Sequence, residues 1–266
     1  MFRISHHESL TRIRMAREML GRPGYEVSAW VYRGFLIDSG PPTSAAELVA
    51  WCRSHPEVRK IVLTHHHEDH VGGAAALQED LGLPVFAPAL AVPILAEGLR
   101  MPLYRRALWT TPRRFRAEPL GDRIDGLQVI PTPGHAMTHV CLFDEERRWL
   151  FSGDLYVHEK VRYLRRVEDA QEHIASLRRV LALEPELLIC DHAGILEHAQ
   201  ERLSRKIRFW EDLAGQAREL RDQGLSTKEI TRRLLGRDGF LAWASFGDFS
   251  HRYLIESLLA EPALTP

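Results

Sequence analysis

The sequence predicts an α/β protein. Short apolar segments with strand character alternate with helical segments up to residue 190, and this alternation indicates an α/β architecture. Beyond residue 198 the pattern has helical character only. The length of 266 residues allows one large domain or a core with a small appendage. We therefore expect a main domain over residues 1–198 and a small helical or winged-helix domain over residues 199–266.

The elements of the first half are bounded by residues that start or stop strands and helices. Arg33 and Gly34 join two strands of a hairpin. Ser44, with Glu47 three residues later, predicts a capping box at a helix start. The predicted elements are strands at 27–32 and 35–37, a helix at 44–54, a strand at 61–63, a helix at 72–81 and a strand at 84–86.

Residues 99–118 interrupt the alternation with arginines and aromatic residues. Pro102 and Pro112 limit regular structure there, so we expect a long insertion or lid near the functional site. Arginine forks pair with phosphates and aromatic rings stack on bases. We favour the simpler interpretation, a solvated lid whose aromatic side chains pack inward. The residues concerned are Arg100, Tyr104, Arg105, Arg106, Trp109, Arg113, Arg114, Phe115 and Arg116.

The second half returns to strands and then changes to helices. Strands are predicted at 127–130, 140–143, 149–151 and 187–190, with an amphipathic helix at 168–183. Helices follow at 199–221 and 226–235, and a last helix ends at residue 259. Ser226 and Glu229 predict a second capping box, and Asp248 or Ser250 is the expected cap of the last helix.

Composition excludes several classes of protein. A formal net charge of −1 gives no general attraction to nucleic acid or to an anionic membrane. The three cysteines are scattered and odd in number, which argues against a disulfide framework and fits a reducing compartment. The N-terminus lacks an apolar signal region, and the most apolar stretch, residues 85–96, is too short to span a bilayer. We expect a cytoplasmic protein without membrane contact.

The most informative motif is Thr-His-His-His-Glu-Asp-His-Val-Gly-Gly at residues 64–73, directly after a predicted strand. Alternate side chains of an extended segment point the same way, so His65, His67 and Asp69 can converge. Imidazole and carboxylate groups together suit zinc and other first-row divalent metals. His66 and Glu68 would point elsewhere, into hydrogen bonds or solvent. A histidine-rich surface loop is the alternative, and the partners found downstream disfavour it.

Three later segments end predicted strands with a further metal-ligating residue. His135 closes Pro-Thr-Pro-Gly-His, Asp154 closes Phe-Ser-Gly-Asp, and His192 closes Ile-Cys-Asp-His. Each segment alone is more typical of a turn. All three in this order after the histidine-rich motif form a specific pattern.

These motifs resemble those of the metallo-β-lactamase superfamily over about residues 25–200. The resemblance implies a four-layer αββα sandwich with a C-terminal helical extension and two metal ions at one edge of the paired sheets. It also implies a role for Asp38, an outer acid that orients a metal-binding histidine. The implied ligands are His65, His67 and His135 for the first metal, Asp69, His70 and His192 for the second, and Asp154 as a bridge.

Two metals held in this way can share one hydroxide and polarise a substrate oxygen. Asp69 is the predicted catalytic residue, because it would orient that hydroxide and relay a proton to the leaving group. Zn²⁺ is the expected ion, although iron and manganese accept the same ligands. His139 is a candidate outer partner, and Tyr156, Lys160 and Tyr163 are candidates for the substrate pocket. The remaining histidines are expected at the surface: His6, His7, His55, His173, His198 and His251.

Several branches of the superfamily share this ligand set. True β-lactamases usually lack one of the groups that His70 and Asp154 supply here. Glyoxalase II thioesterases and lactonases carry all seven ligands, although residues 155–160 differ from the usual glyoxalase II segment. We expect a hydrolase of a small ester, thioester or lactone. Single-stranded RNA is the second candidate substrate, and a non-catalytic metal-binding or regulatory protein is the third hypothesis.

One departure from the family pattern concerns the last histidine. It usually lies in Gly-His-Gly, whereas here Asp191 precedes His192 and Ala193 follows it. Asp191 is therefore expected to contact His192 or a metal. The same departure leaves open whether a metal ion fills the second site. The C-terminal helices are expected either to form a homodimer face or to close over the substrate pocket.

Overall fold

Residues 1–19, 22–23 and 25–260 are described in this computed structural model of the protein. Two β-sheets contain most of its strands. The first sheet consists, in spatial order, of β1 (Phe2–His7), β2 (Leu10–Met15), β5 (Val27–Tyr32), β6 (Phe35–Ile37), β7 (Lys60–Val62), β8 (Val85–Ala87) and β9 (Glu118–Pro119). The second sheet consists of β10 (Arg123–Ile124), β11 (Leu127–Pro131), β12 (Val140–Asp144), β13 (Trp149–Gly153), β15 (Leu187–Cys190) and β16 (Gly194–Glu197).

Two short ribbons and a set of helices complete the described chain. The ribbons pair β3 (Glu18–Met19) with β4 (Arg22–Pro23), and β14 (Leu164–Arg165) with β17 (Phe249–Ser250). The helices are α1 (Ala45–Arg53), α2 (Glu68–Val71), α3 (Ala74–Leu81), α4 (Ala91–Glu97), α5 (Leu103–Trp109), α6 (Ala170–Leu181), α7 (Ala199–Asp222), α8 (Thr227–Leu234), α9 (Phe240–Ala244) and α10 (His251–Leu259).

Three apolar clusters define the layers. The first lies between the two sheets, where Trp30 and Phe35 meet Leu142 and Phe151. The second packs α1, α3 and α4 on the outer face of the first sheet. The third packs α6, α7 and α10 on the outer face of the second sheet. Helix, sheet, sheet and helix thus follow one another, and the expected four-layer αββα fold with C-terminal helices is confirmed.

The third cluster crosses the domain boundary predicted at residue 198. It joins Ile130 and Leu188 of the second sheet to Trp210 of α7 and Leu254 of α10, all of them buried. The ribbon of β14 and β17 makes a second connection across the same boundary. The C-terminal helices therefore share their apolar core with the second sheet.

Local capping explains where several helices begin. The Asp169 side chain accepts the backbone N–H groups of Gln171 and Glu172, so α6 starts two residues later than predicted. Ser226 and Glu229 form the predicted capping box of α8, and Ser250 caps α10. The capping box predicted at Ser44 does not form. A 3₁₀ turn over Pro42–Ser44 leads into α1 instead, and the Ser44 side chain accepts no cap bond.

Sequence patterns missed several elements. β1 and β2 form an antiparallel hairpin, but β1 is mostly exposed and its polar residues carry no apolar alternation. The strand at 187–190 was expected to be the last, yet β16 pairs with it and β17 follows in the helical tail. The segment of residues 99–118 contains the short helix α5 between its two prolines, and Trp109 and Phe115 pack inward as expected. In the described part of the chain, no helix combines the length and apolar character needed to cross a membrane.

Candidate metal centre

The predicted ligands meet at one edge of the paired sheets, where strands end. Neighbouring parallel strands have their carboxyl ends at the same edge, as β6 and β7 do in the first sheet and β13 and β15 in the second. Packing of the two sheets brings both sets of strand ends together. The residues delivered there are Asp38 after β6, residues 65–70 after β7, His135 after β11, Asp154 after β13 and His192 after β15.

Three imidazole nitrogens converge in the first group. His67 Nδ1 lies 2.9 Å from His65 Nε2 and 2.9 Å from His135 Nε2. Asp154 Oδ2 lies 3.2 Å from His135 Nε2 and completes a group of four potential ligands. Since a neutral imidazole has one acceptor nitrogen, three such nitrogens facing one point suit a cation at that point.

The second group contains Asp69, His70 and His192. Asp69 Oδ2 lies 3.9 Å from His70 Nε2 and 3.7 Å from His192 Nε2. The second carboxylate oxygen of Asp154, Oδ1, lies 3.5 Å from His70 Nε2 and 3.2 Å from His192 Nε2. Asp154 therefore faces both groups, one with each oxygen. Among the residues that the structure describes, His70 Nε2 and Asp154 Oδ1 are buried without a hydrogen-bond partner, so this donor set also fits a cation.

Charges in the centre shift one another's pKa. Burial alone would raise the pKa of Asp154, but the imidazoles of His192 and His70 hold it well below its usual range. Burial alone would lower the pKa of His192, but Asp154 and Asp69 raise it to about 9. The carboxylates thus favour positive charge on the facing imidazoles. A divalent cation would supply that charge while leaving the imidazole nitrogens free to coordinate.

Asp38 organises the outer side of the centre. Its carboxylate accepts the backbone N–H and the hydroxyl of Thr64, each at 2.7 Å, and lies 2.8 Å from His70 Nδ1. Thr64 Oγ1 in turn lies 2.9 Å from His65 Nδ1. One buried carboxylate therefore orients one histidine of each metal group, directly or through Thr64. This is the place in which the sequence predicts an orienting acid.

His139 is buried behind Asp154. Its Nε2 accepts the backbone N–H of Asp154 at 3.1 Å, while its Nδ1 lies 2.8 Å from Thr132 Oγ1. Burial, reinforced by the nearby His135, lowers the pKa of His139 to about 3, so the ring stays neutral. His139 therefore holds the backbone of Asp154 and offers no nitrogen to a metal.

Three charged groups lie beside the ligands: Asp191, which the sequence singles out, and Glu68 and Glu168, to which it gives no role at the centre. Glu168 Oε1 lies 3.2 Å from His135 Nδ1 and 3.0 Å from Arg165 Nε. Glu68 is buried, with Oε1 2.5 Å from Arg105 Nε. Asp191 contacts His70 rather than His192 or a metal-facing atom, with Oδ2 3.2 Å from His70 Nδ1. The only sequence signal at Glu168 was its place before a helix, which resembles an ordinary cap.

The three residues predicted for the substrate pocket have different surroundings. Tyr156 is buried in the third apolar cluster, and Lys206 Nζ lies 5.6 Å from the centre of its ring. Lys160 is exposed and, with Tyr156, lines a separate cavity of about 220 Å³. Tyr163 packs on His251 with ring centroids 4.2 Å apart. The Tyr156 ring faces helix α7, and a substrate-pocket role for these three residues stays a prediction.

Two further corrections concern histidines expected at the surface. His173 is buried under Trp210, with ring centroids 4.9 Å apart, and its Nε2 lies 2.7 Å from the Leu155 carbonyl oxygen. His251 is buried beneath Tyr163. Both lie on the core-facing side of an amphipathic helix, where periodicity rather than residue type determines burial.

A family model described as the metallo-beta-lactamase superfamily matches residues 22–192, more than half of the chain. The chain belongs to this superfamily. The match covers every predicted ligand, from His65 to His192. It ends before the C-terminal helices.

Curated relatives include a hydroxyacylglutathione hydrolase of Pseudomonas aeruginosa, 31% identical over 171 residues, or 61% of this chain and 59% of the relative. A beta-lactamase-like protein 2 homolog of Caenorhabditis elegans is 27% identical over 65% of this chain and 56% of the relative. This superfamily member thus spans less than two thirds of the length of the curated relatives it matches.

Solved structures support the same family and extend the likeness of fold. The protein TTHA1623, solved in a di-iron-bound form, is 30% identical, with a TM-score of 0.53 over 71% of this chain and 91% of that chain. A metallo-beta-lactamase family protein from Thermus thermophilus, TTHA1429, has a TM-score of 0.61 at 21% identity, over 94% of this chain and 91% of that chain. The second likeness concerns the fold alone and reaches into the C-terminal helices.

Proposed function

We propose that this superfamily member is a dinuclear metal-dependent hydrolase that cleaves a small thioester, ester or lactone. The observation that carries the proposal is the position of Asp154, whose two oxygens face two separate groups of ligands. A thioester is the first choice, because a relative at 31% identity is named as a hydrolase of hydroxyacylglutathione. Lactones and oxygen esters share the carbonyl that such a site attacks.

Two bound divalent ions would lower the pKa of water from about 15.7 to about 7 and polarise the substrate carbonyl. The imidazole and carboxylate ligands accept zinc, iron or manganese, and we propose Zn²⁺ with iron as the main alternative. The di-iron form of a relative at 30% identity supports keeping iron in the tests.

Asp69 is the residue proposed to transfer the proton from the attacking water to the leaving group. It is buried at the start of α2, and its Oδ2 faces the second group of ligands. Its other oxygen, Oδ1, lies 3.9 Å from Arg105 Nη2. A carboxylate fixed on both sides can orient the attacking water and pass its proton to the leaving group.

The arginine-rich segment gives little support to the alternative function, cleavage of single-stranded RNA. Arg105 is paired with Glu68 and Arg113 with Glu79, at 2.5 Å and 2.6 Å. Trp109 and Phe115 are buried, so neither ring is available to stack on a base. A small-molecule substrate therefore remains the proposed partner, and cytoplasmic localisation and a homodimer stay predictions.

Substitution of Asp69 by alanine tests the proposal. Turnover of thioester, lactone, phosphodiester and RNA substrates is measured with Zn²⁺-, Fe²⁺- and Mn²⁺-loaded protein. We expect Asp69→Ala to lower kcat by about 10²–10⁴-fold, the usual contribution of a positioned proton-transfer group, and to leave the circular dichroism spectrum unchanged. Asp222→Ala, an exposed change on α7, is the matched control.

Full activity of Asp69→Ala would contradict the proposed mechanism. Elemental analysis of the same samples separates the remaining hypothesis. Two bound ions per chain with no turnover of any substrate class would favour the non-catalytic metal-binding protein instead.

A further inference from the structure

Each proposed ligand histidine has an inner nitrogen that faces the other ligands and an outer nitrogen that faces away from them. The outer nitrogen contacts an oxygen atom in every ring except one. Four of the five rings face an oxygen that can accept a hydrogen bond, which leaves the inner nitrogen free for a metal. His67 differs, because its outer nitrogen, Nε2, lies 2.8 Å from Arg165 Nη2. The other partners are Thr64 Oγ1 for His65, Asp38 for His70, Glu168 for His135 and the Glu26 carbonyl oxygen for His192.

A guanidinium cannot serve His67 as the oxygens serve the other rings, because it only donates hydrogen bonds. His67 Nδ1 faces His65 and His135 in the first group of ligands. When Nδ1 coordinates a cation, the ring proton of a neutral imidazole lies on Nε2, which then has nothing to accept with. The terminal N–H groups of Arg165 therefore need another acceptor at the centre.

Glu168 fixes Arg165 in this position. Its Oε1 lies 3.0 Å from Arg165 Nε, and its Oε2 accepts the Arg165 backbone N–H at 3.1 Å. Both side chains are nearly buried, at 8% and 5% exposure. The tether uses Nε and leaves the terminal nitrogen Nη2 at the ring edge of His67. A tethered guanidinium whose terminal donor faces the centre is suited to an oxyanion such as a carboxylate.

Arg105 forms a similar arrangement on the other flank of the centre. Glu68 binds its Nε, and its Nη2 lies 3.9 Å from Asp69 Oδ1. Here, however, the terminal nitrogen already has a carboxylate nearby. Arg165 differs from Arg105 because its terminal nitrogen Nη2 faces an imidazole instead of an acid.

We propose that Arg165 binds a carboxylate of the substrate, close to the carbonyl that is cleaved. The chain would then prefer acyl substrates that carry a carboxylate a few bonds from the scissile carbonyl, and Arg165 would be a specificity-determining residue. This inference rests on the proposed hydrolase function. Glu168 is the positioning residue that holds the guanidinium beside His67.

Two matched substrates test the proposal. One is the S-phenyl half-thioester of succinic acid, and the other is the same compound with its carboxylate methylated. We expect the metal-loaded protein to prefer the acid by at least tenfold in kcat/KM. Arg165→Met should lower kcat/KM for the acid by about 10–100-fold and for the methyl ester by less than about threefold, the range expected for a hydrogen bond to a charged group. Arg178→Met, an exposed change on α6, is the control.

A second measurement does not depend on turnover. Binding of the corresponding uncleavable thioether acid is measured by calorimetry, with metal content determined on each sample. Arg165→Met should weaken this binding about tenfold or more while both ions are retained. Arg165→Met leaves the buried Glu168 without its charged partner and can therefore fail to fold. In that case the double variant Arg165→Met/Glu168→Gln, which removes both charges, is used in place of the single variant.

Equal kcat/KM for the two substrates in the unaltered protein would overturn the inference. So would an equal fall for both substrates in Arg165→Met with its metals retained, because that result assigns Arg165 a structural role. Failure of the proposed hydrolase function gives a different result from failure of the role of Arg165. The protein would then cleave no thioester, ester or lactone, and the thioether-binding measurement alone would support or overturn the role of Arg165.

Discussion

Asp191 places a second carboxylate on one imidazole. His70 Nδ1 lies 2.8 Å from Asp38 Oδ2 and 3.2 Å from Asp191 Oδ2. The Trp30 indole donates to Asp191 Oδ1 at 2.7 Å and holds it there, while Oδ2 has no hydrogen-bond partner. One N–H group cannot satisfy two carboxylates. Burial, and then the charge of Asp38, accordingly raise the pKa of Asp191 to about 7.

This raised pKa predicts a stability change that depends on pH. The folded form binds a proton that the unfolded form releases near pH 3.8, so Asp191 lowers the stability progressively as pH rises from 3.8 to 7. In metal-free protein, Asp191→Asn should therefore be more stable than the unaltered chain at pH 8, by about 1–4 kcal/mol, and close to it at pH 4. Urea unfolding in the presence of a chelator at both pH values measures the difference.

Asp38→Asn is the matched comparison for this prediction. Since Asp38 also accepts two hydrogen bonds from Thr64, its loss should be destabilising at both pH values. A lower stability of Asp191→Asn at pH 8 would contradict the assignment of Asp191 as the strained member of the pair.

At the scale of elements, helix α7 reaches the backbone next to Asp154. Lys206 of α7 is buried, and its Nζ donates to the Leu155 carbonyl oxygen at 2.9 Å. The same ammonium lies 5.1 Å from the centre of the Trp210 ring. Burial lowers the pKa of Lys206 to about 8. The helix thus supports the metal centre through a lysine whose charge is costly to bury.

Lys206→Met should remove this cost. The unfolded form keeps its proton up to pH 10.5 and the folded form only up to about pH 8, so the cost is complete below pH 8 and disappears between these values. The variant should be more stable than the unaltered chain at pH 7, and the advantage should shrink by up to about 3 kcal/mol towards pH 10.5. Denaturant unfolding of metal-free protein at pH 7 and pH 10 gives the comparison.

The carbonyl oxygen of Leu155 keeps a partner in this variant, because His173 Nε2 lies 2.7 Å from it. Lys228→Met on α8, at an exposed position, provides the control for loss of a surface charge. An advantage that does not change with pH would mean that apolar packing, rather than the buried charge, determines the effect.

For the whole molecule, the common apolar core predicts that the C-terminal helices cannot be removed. A chain of residues 1–198 would expose Ile130, Leu188 and the other side chains that pack on Trp210 and Leu254. Full burial of such a side chain contributes about 1.5–3 kcal/mol, against a total stability of about 5–15 kcal/mol. We expect the shortened chain to be insoluble or to lack near-ultraviolet circular dichroism. A cooperative unfolding transition of that fragment would instead support the two independent domains expected from sequence.

Much of this arrangement was predictable, because strong local patterns determine it. The hairpin of β5 and β6, the strand β15 and the helices α6 to α8 agree closely with their predicted ranges. The sequence predicts the proposed ligands because each group follows a strand, and the structure brings these residues together. Tertiary pairing was not predictable: Trp30 and Asp191 are 161 residues apart, and Arg165 gives no local sign that it contacts His67.

The ribbon of β14 and β17 has a consequence for the order in which the protein matures. The last proposed metal ligand, His192, leaves the ribosome well before Phe249 and Ser250, which pair with the strand that carries Arg165. During synthesis, all the proposed ligands are therefore outside the ribosome while the strand that completes this ribbon is still missing. Since the same segment supplies α10 to the apolar core of the second sheet, we expect the proposed ligands and Arg165 to reach their final positions together, only after α10 has been synthesised.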